Sequence, residues 1–229
     1  MKAGLGVMFT GASGKAANAV FRETSEGTIV GPRVTPRNPR TPAQQAVRAA
    51  MTKASQSFQT LTQAQIKAWN KYALKGQVNN KTTHKPKTRS GINAYLELAS
   101  KYYLVNGSGT APATPPALPF VADDVTFTVT ASAGTLTVTA SGPNNAGVKT
   151  EFLIQELASP ARKPQKGGYR TNSYHAFVAG TLDYDIEVDP GYYAVGYRFV
   201  NTATGQQTLT TYFTDIQQVA LALSKKKVA

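Results

Sequence analysis

The stretch Asn106-Gly107-Ser108-Gly109-Thr110-Ala111-Pro112-Ala113-Thr114-Pro115-Pro116-Ala117-Leu118-Pro119 divides the chain into two kinds of sequence. Before it, apolar residues recur at helical spacing; after it, they alternate with a period of two. Its Gly/Ser start reads as flexible and its proline end as semi-rigid, the composition of a linker. Charge changes across the same stretch. Residues 1–110 hold sixteen Lys/Arg and three acids, Glu23, Glu26 and Glu97, whereas residues 111–229 hold nine residues of each sign. The whole formal charge of +13 therefore lies in the front half. Between Glu26 and Glu97 stand twelve Lys/Arg and no carboxylate. A segment with no internal counter-charge repels itself and is more stable beside a polyanion or an acidic protein surface.

Downstream of the linker, Val125-Phe127-Val129 alternate with threonines, as do Leu136 and Val138. Phe152, Ile154 and an off-register Leu157 follow, the last suggesting a bulge. Then come Tyr174-Ala176-Val178, Tyr184-Ile186-Val188, Tyr193-Val195-Tyr197-Phe199 and Leu209-Thr211-Phe213. Seven short strands separated by Gly, Pro and Asn turns predict an antiparallel β-sandwich. The end, Ser224-Lys225-Lys226-Lys227, is a basic tail.

Upstream, the helix signals agree with one another. Thr41 is a candidate N-cap, with Pro42 at N1 and Gln44 at N3. Ala43, Ala46/Val47, Ala50/Met51, Ala54 and Phe58 then form an apolar stripe. A second helix starts at Thr62, with Gln65 completing a capping box and Leu61 and Ile66 forming a hydrophobic staple. Ile66, Trp69 and Ala73 are its apolar face, and Gly76 stops it. After a basic loop with Lys81, Lys85, Lys87 and Arg89, a third helix spans about Ser90 to Leu104. Ile92, Tyr95/Leu96, Ala99 and Tyr102/Tyr103 are expected inward. Trp69, Ile66, Phe58 and Tyr95 are the expected core of this three-helix unit.

Residues 1–40 show no period long enough to close a core. Val7-Met8-Phe9, Val20-Phe21 and Thr28-Ile29-Val30 are short candidate strands among glycines. The run Pro32-Arg33-Val34-Thr35-Pro36-Arg37-Asn38-Pro39-Arg40 is stiff, extended and cationic, because each proline biases its predecessor toward extended backbone. The segment reads as an arm ordered by what it lies on. Arg33, Arg37, Arg40 and Arg48 are the candidate partner contacts, hydrogen-bonding carboxylates. Val7, Phe9, Ile29 and Val30 are the candidate apolar contacts.

Several chemistries find no support. Cysteine is absent, which excludes disulfides and thiolate metal sites. The two histidines, His84 and His175, have no ligand spacing. Gly11-Ala12-Ser13-Gly14-Lys15-Ala16 has the wrong spacing for a phosphate-binding loop and no Ser/Thr after its lysine. Asp183, Asp185, Glu187 and Asp189 alternate with apolar residues, as on a solvated strand face rather than in a calcium site or glycosidase pair. Tyr184, Tyr192, Tyr193, Tyr197 and Tyr212 read as core and edge rather than a ligand surface. Met1–Ala19 lacks the apolar run of a secretory signal, and no stretch reaches the ~18 apolar residues of a membrane span. The expectation is a binding protein with no enzymatic activity and no cofactor.

The segment Asn38-Pro39-Arg40-Thr41-Pro42-Ala43-Gln44-Gln45-Ala46-Val47-Arg48, then Leu61-Thr62-Gln63-Ala64-Gln65 and Ala68-Trp69, resembles a recurrent element of bacteriophage structural proteins. Ser90-Gly91-Ile92-Asn93-Ala94-Tyr95 is similar to a later piece of the same element. The resemblance covers roughly residues 1–105. It implies a virion component assembled in the host cytoplasm, such as a capsid decoration protein, with the major capsid protein or other virion proteins as partners in multiple copies. A tail or head-tail connector component is an alternative. The back half is similar in outline to the fibronectin-III or immunoglobulin-like modules of such proteins, with Pro190-Gly191-Tyr192-Tyr193 resembling the turn before their penultimate strand, where a tyrosine corner lies. A rival resemblance is to the HMG box, a three-helix minor-groove DNA binder, carried by Phe58 to Leu61, the threonine cap and Trp69 to Ala73. Gln63, Ala64 and Gln65 depart from that pattern, and non-specific contact with nucleic acid follows from the charge alone.

The expected architecture is α+β in two domains. A basic arm (1–40), a three-helix unit (41–105), a linker (106–120), an Ig/fibronectin-III-like β-sandwich (121–222) and a basic tail (223–229) follow in order.

Overall fold

A computed structural model describes residues 13–24, 27–35, 38–75, 78–79, 86–87 and 89–220. The chain is α+β, with three helices and antiparallel sheets among the described residues. It divides into two compact units, Met1–Pro42 and Ala43–Ala229.

In the first unit, β1 (Gly14–Ala16), β2 (Ala19–Thr24) and β3 (Gly27–Pro32) form an antiparallel meander in that order. The strands expected at Val20-Phe21 and at Thr28-Ile29-Val30 are β2 and β3. Val7-Met8-Phe9 lies outside the described residues. Lys15 of the glycine-rich Gly11–Ala16 motif is paired with Val20 in the ladder, so its backbone is a strand. Ala17 turns the chain at a φ of 48°.

In the second unit, α1 (Pro42–Gln59), α2 (Gln63–Lys75) and α3 (Gly91–Asn106) surround Trp69. The capping box of α2 is formed: the Thr62 amide donates to Gln65 Oε1 at 2.8 Å, and the Gln65 amide donates to Thr62 Oγ1 at 3.4 Å. Ser90 caps α3 by accepting from the Asn93 amide at 3.3 Å. Gly91 follows because α2 passes directly against it. Its amide donates to Asn70 Oδ1 at 3.2 Å, and a Cβ would overlap the Asn70 backbone. Gly107 ends α3 at a φ of 70°, returning its amide to the Tyr103 carbonyl. The short pair β4 (Val78–Asn79) and β5 (Pro86–Lys87) lies between α2 and α3.

Two antiparallel sheets follow. One has the order β10 (Asp183–Glu187), β7 (Thr135–Ala140), β6 (Phe127–Ser132). The other has the order β12 (Thr211–Tyr212), β11 (Gly191–Asn201), β8 (Val148–Leu157), β9 (Arg170–His175), and β13 (Gln217–Val219) also pairs with β11. Their inner faces share one apolar cluster: Phe127, Leu136, Val138 and Ile186 meet Phe152, Val195 and Phe199. Leu157 is a correction. It pairs in register with Tyr192 and is buried on the face opposite Phe152 and Ile154, so no bulge is needed. The irregularity falls instead between Phe152 and Leu153 where β8 meets β9.

The segment after α3 lies on the helices. Ala111 is buried, its amide meets the Tyr103 hydroxyl at 3.4 Å, and the Ala113 carbonyl accepts from Trp69 Nε1 at 2.8 Å. No described helix is long and apolar enough to cross a membrane.

Candidate functional site

The arm residues fall on two faces of the meander, as the ladder dictates. Val20 pairs with Gly31 and Arg22 with Ile29, which places these four on one face; Phe21 pairs with Val30, and Glu23 with Thr28, on the other. Ile29 and Val30 therefore point in opposite directions, with Ile29 exposed and Val30 half-buried. The Arg33 amide bonds the Asn18 carbonyl at 2.7 Å, extending the pairing beyond β3, and its side chain is exposed. Arg40 is exposed and holds a left-handed φ of 51°. Arg48 is exposed on α1. Val7, Phe9 and Arg37 lie outside the described residues.

The expected apolar stripe of α1 is buried along only half its length. Ala50 and Ala54 are buried and Phe58 is half-buried, but Ala43 and Ala46 are exposed, and Val47 and Met51 are 54% and 48% exposed. Ser57 Oγ and the Tyr95 hydroxyl share a hydrogen bond of 2.8 Å, and Lys53 Nζ reaches the carbonyl of the α3 C-cap, Gly107, at 3.4 Å. Both contacts with α3 lie C-terminal to Val47 and Met51, although Ala50 between them is buried. Val47 and Met51 are the large apolar side chains exposed on this part of the stripe. Ile92, expected inward, is also a correction: it is 40% exposed in the first turn of α3.

Three of the four expected core residues, Trp69, Tyr95 and Phe58, are together, and Ile66 lies outside their cluster. Trp69 and Tyr95 are 2% and 1% exposed and meet edge to face at 5.1 Å. Phe58 packs on Tyr95 at 5.3 Å, and Ile66 is half-buried. Burial raises the Tyr95 hydroxyl pKa above its ordinary value.

The acids of β10 are on its outer face. Asp183 and Asp185 are exposed and accept from Thr139 and Thr137 across the strand pair, at 2.6 and 2.7 Å. Among the described residues no group of His, Asp or Glu is arranged to hold a metal ion.

A charged cluster was not read from the sequence. Glu151 on β8 is fully buried and meets Lys101 of α3 at 2.9 Å and Arg198 of β11 at 2.7 Å. Thr171 donates to it at 2.6 Å and the Tyr174 hydroxyl at 3.3 Å. Burial alone works to raise the Glu151 pKa, but the Arg198 hydrogen bond, the Lys101 charge and the Thr171 hydroxyl outweigh it and hold the group at about 2. The available signal was a carboxylate directly before the apolar run Phe152-Leu153-Ile154. Glu151 accepts from four side chains of the protein, Lys101, Arg198, Thr171 and Tyr174, which makes the cluster a fastening between α3 and the sheet rather than an open reactive site.

No protein-family model matches the chain, and no curated protein matches it. Among solved structures, the fusolin spindles of Wiseana spp. entomopoxvirus align at 7% identity with a TM-score of 0.26, over 59% of this chain and 47% of that one. The alignment spans about half the length of that protein, and at this TM-score it carries no argument about fold or function.

Proposed function

We propose that the chain is a non-enzymatic structural component of a bacteriophage virion, a capsid decoration protein anchored through its basic front half. The observation that carries the reading is the exposure of Val47 and Met51 on the first half of α1. An apolar stripe with Val47 and Met51 exposed follows a cationic arm, within a stretch from Glu26 to Glu97 that has no carboxylate. Apolar area of this kind is stabilised by a partner surface, and the surrounding charge selects an acidic one. The ordered series of motifs from Asn38 to Tyr95 supports a phage source for that partner.

The two sheets are read as a fibronectin-III-like module that the anchor presents outward. The strand orders β10-β7-β6 and β9-β8-β11-β12 support this, as does Tyr193, whose hydroxyl donates to the Asp189 carbonyl at 2.8 Å. A tyrosine at the start of the penultimate strand, bonded to backbone a few residues upstream, is the corner such modules use. The helices and the sheets are then two domains fastened by the Lys101–Glu151 contact.

The test is the protein content of purified particles of the phage that encodes the chain. Quantitative mass spectrometry is expected to find it in a fixed ratio to the major capsid protein. Particles that lack it overturn the reading.

A further inference from the structure

We infer that the face of the arm carrying Lys15, Arg22 and Arg33 grips an acidic protein segment that also contains apolar side chains. The inference deepens the capsid-anchor reading and rests on it for the identity of the partner, but not for the chemistry. Lys15 pairs with Val20, Val20 with Gly31, and Arg22 with Ile29, so the ladder sets Lys15 and Arg22 on one face. Arg33, two residues beyond Gly31, joins them. All three cations are exposed, and among the described residues none has a side-chain partner. The only described acid of the meander, Glu23, is on the opposite face, paired with Thr28.

These side chains surround a concavity of about 410 Å³, lined also by Val20, Pro32 and Val34. Val34 is 76% exposed and Ile29, on the same face as Arg22, is 39% exposed. Gly31 stands in the middle row with open space where a Cβ would be, so a ligand can approach the backbone there. Three cations spaced by strand geometry among apolar residues match alternating carboxylate and apolar side chains. A phosphate backbone offers nothing for Val20, Ile29 and Val34 to contact. The one described aromatic of the arm, Phe21, is on the opposite face, so this face has no stacking platform for bases.

The experiment uses the full chain and fluorescence anisotropy at an ionic strength where the Debye length is about 8 Å. The probes are a labelled peptide alternating glutamate with valine and serine, an all-glutamate peptide, and a duplex DNA of matched charge. The alternating peptide is expected to bind about tenfold more tightly than either comparator. Lys15→Gln/Arg22→Gln/Arg33→Gln is expected to lose about tenfold or more of that affinity. Lys67→Gln/Lys71→Gln/Lys163→Gln removes the same charge from exposed positions elsewhere and is expected to retain it. Unchanged Trp69 emission shows that the helices of each variant are folded, and unchanged amide hydrogen exchange in residues 19–32 shows that the meander is. Tighter binding of the duplex assigns the face to nucleic acid and overturns the inference. Equal loss in both triple variants, equal binding of the all-glutamate peptide, or no binding of the alternating peptide overturns it as well. Peptide binding by a chain absent from particles sinks the virion reading alone; normal incorporation of the arm triple variant into particles sinks this inference alone.

Discussion

The Lys101 ammonium on α3 lies 2.9 Å from the Glu151 carboxylate on β8, and that carboxylate has no solvent exposure at all. Arg198 completes a buried group of one anion and two cations, with side-chain exposures of 13% for Lys101 and 19% for Arg198. Burial pulls the Lys101 pKa below its ordinary value, and the Glu151 charge opposes that pull only in part because Arg198 adds a like charge. Removing the anion leaves two partly buried cations facing each other. Glu151→Gln should therefore cost about 3–5 kcal/mol, the range for breaking a buried pair, read from urea denaturation at neutral pH.

The pH dependence of that loss has a definite sign. The folded pKa of Glu151, about 2, is below the ordinary 4.5. Its ionisation therefore stabilises the fold fully above pH ~4.5, by at most about 3 kcal/mol, and the contribution disappears as pH falls toward about 2. The stability gap between the native chain and Glu151→Gln should narrow over that window. A gap that stays constant from pH 6 to pH 2 would contradict the assignment.

Trp69 is the chain's one tryptophan and reports on the helices directly. Its ring meets Tyr95 edge to face, and its Nε1 donates to the Ala113 carbonyl at 2.8 Å. Emission should be blue-shifted in the native protein and should move red in the unfolding transition of the helices. Trp69→Ala should cost about 3–5 kcal/mol. Trp69→Phe keeps most of the packing and loses the hydrogen bond, so it should cost less. The bond to Ala113 also implies that segment 110–114 is protected from proteolysis, which limited digestion with peptide mapping would check.

Local signals were legible where a short-range rule settles the outcome. The Thr62/Gln65 box, the start of α3 at about Ser90 and the alternation in Phe127–Ala140 each depend on residues within a few positions of one another. Trp69, Tyr95 and Phe58 were found as core because helical stripes gather them, whereas Ile66, on the same stripe as Trp69, is only half-buried. The exposed half of α1 was not legible, since periodicity gives the apolar face of a helix but not which of its turns a neighbour covers. Glu151 was missed for a related reason: its partners Lys101, Thr171 and Arg198 come from three other elements, and no local pattern joins them. The arm's two faces needed the register, because sliding β3 by one residue would exchange Ile29 with Val30.

Gly205 marks the closest approach of the β11–β12 turn to α3. Its φ is 74°, and a Cβ would overlap the Leu98 carbonyl oxygen. Nearby, Asn106 Nδ2 donates to the Thr202 carbonyl at 2.7 Å. Gly205→Ala should combine backbone strain with a displaced turn and cost about 1–3 kcal/mol. Because the same contact joins helix and sheet, the variant should also alter near-UV signals from the tyrosines of α3. Loss of less than about 0.5 kcal/mol, the usual effect of a neutral surface change, would show that the turn does not bear on α3.

The exposed apolar residues of α1 separate an anchoring role from a merely structural one. Val47 and Met51 are about half exposed, so Val47→Gln/Met51→Gln should change the stability of the isolated protein by no more than about 0.5 kcal/mol per site. If a partner covers them, the same pair of changes removes apolar contact area from the bound state only. Particle incorporation should then fall sharply while folding is unchanged. Salt resolves the nature of the attachment. Contacts with phosphate weaken steeply with salt through counterion release, whereas burial of Val47 and Met51 does not depend on counterions. Attachment to particles should therefore persist at salt concentrations that abolish the chain's non-specific DNA binding. An HMG-like minor-groove binder would behave otherwise, bending duplex DNA at a preferred site. Site-selective bending at a Debye length of about 8 Å, lost in Val47→Gln/Met51→Gln and accompanied by no particle association, would replace the capsid anchor with a DNA-binding helix.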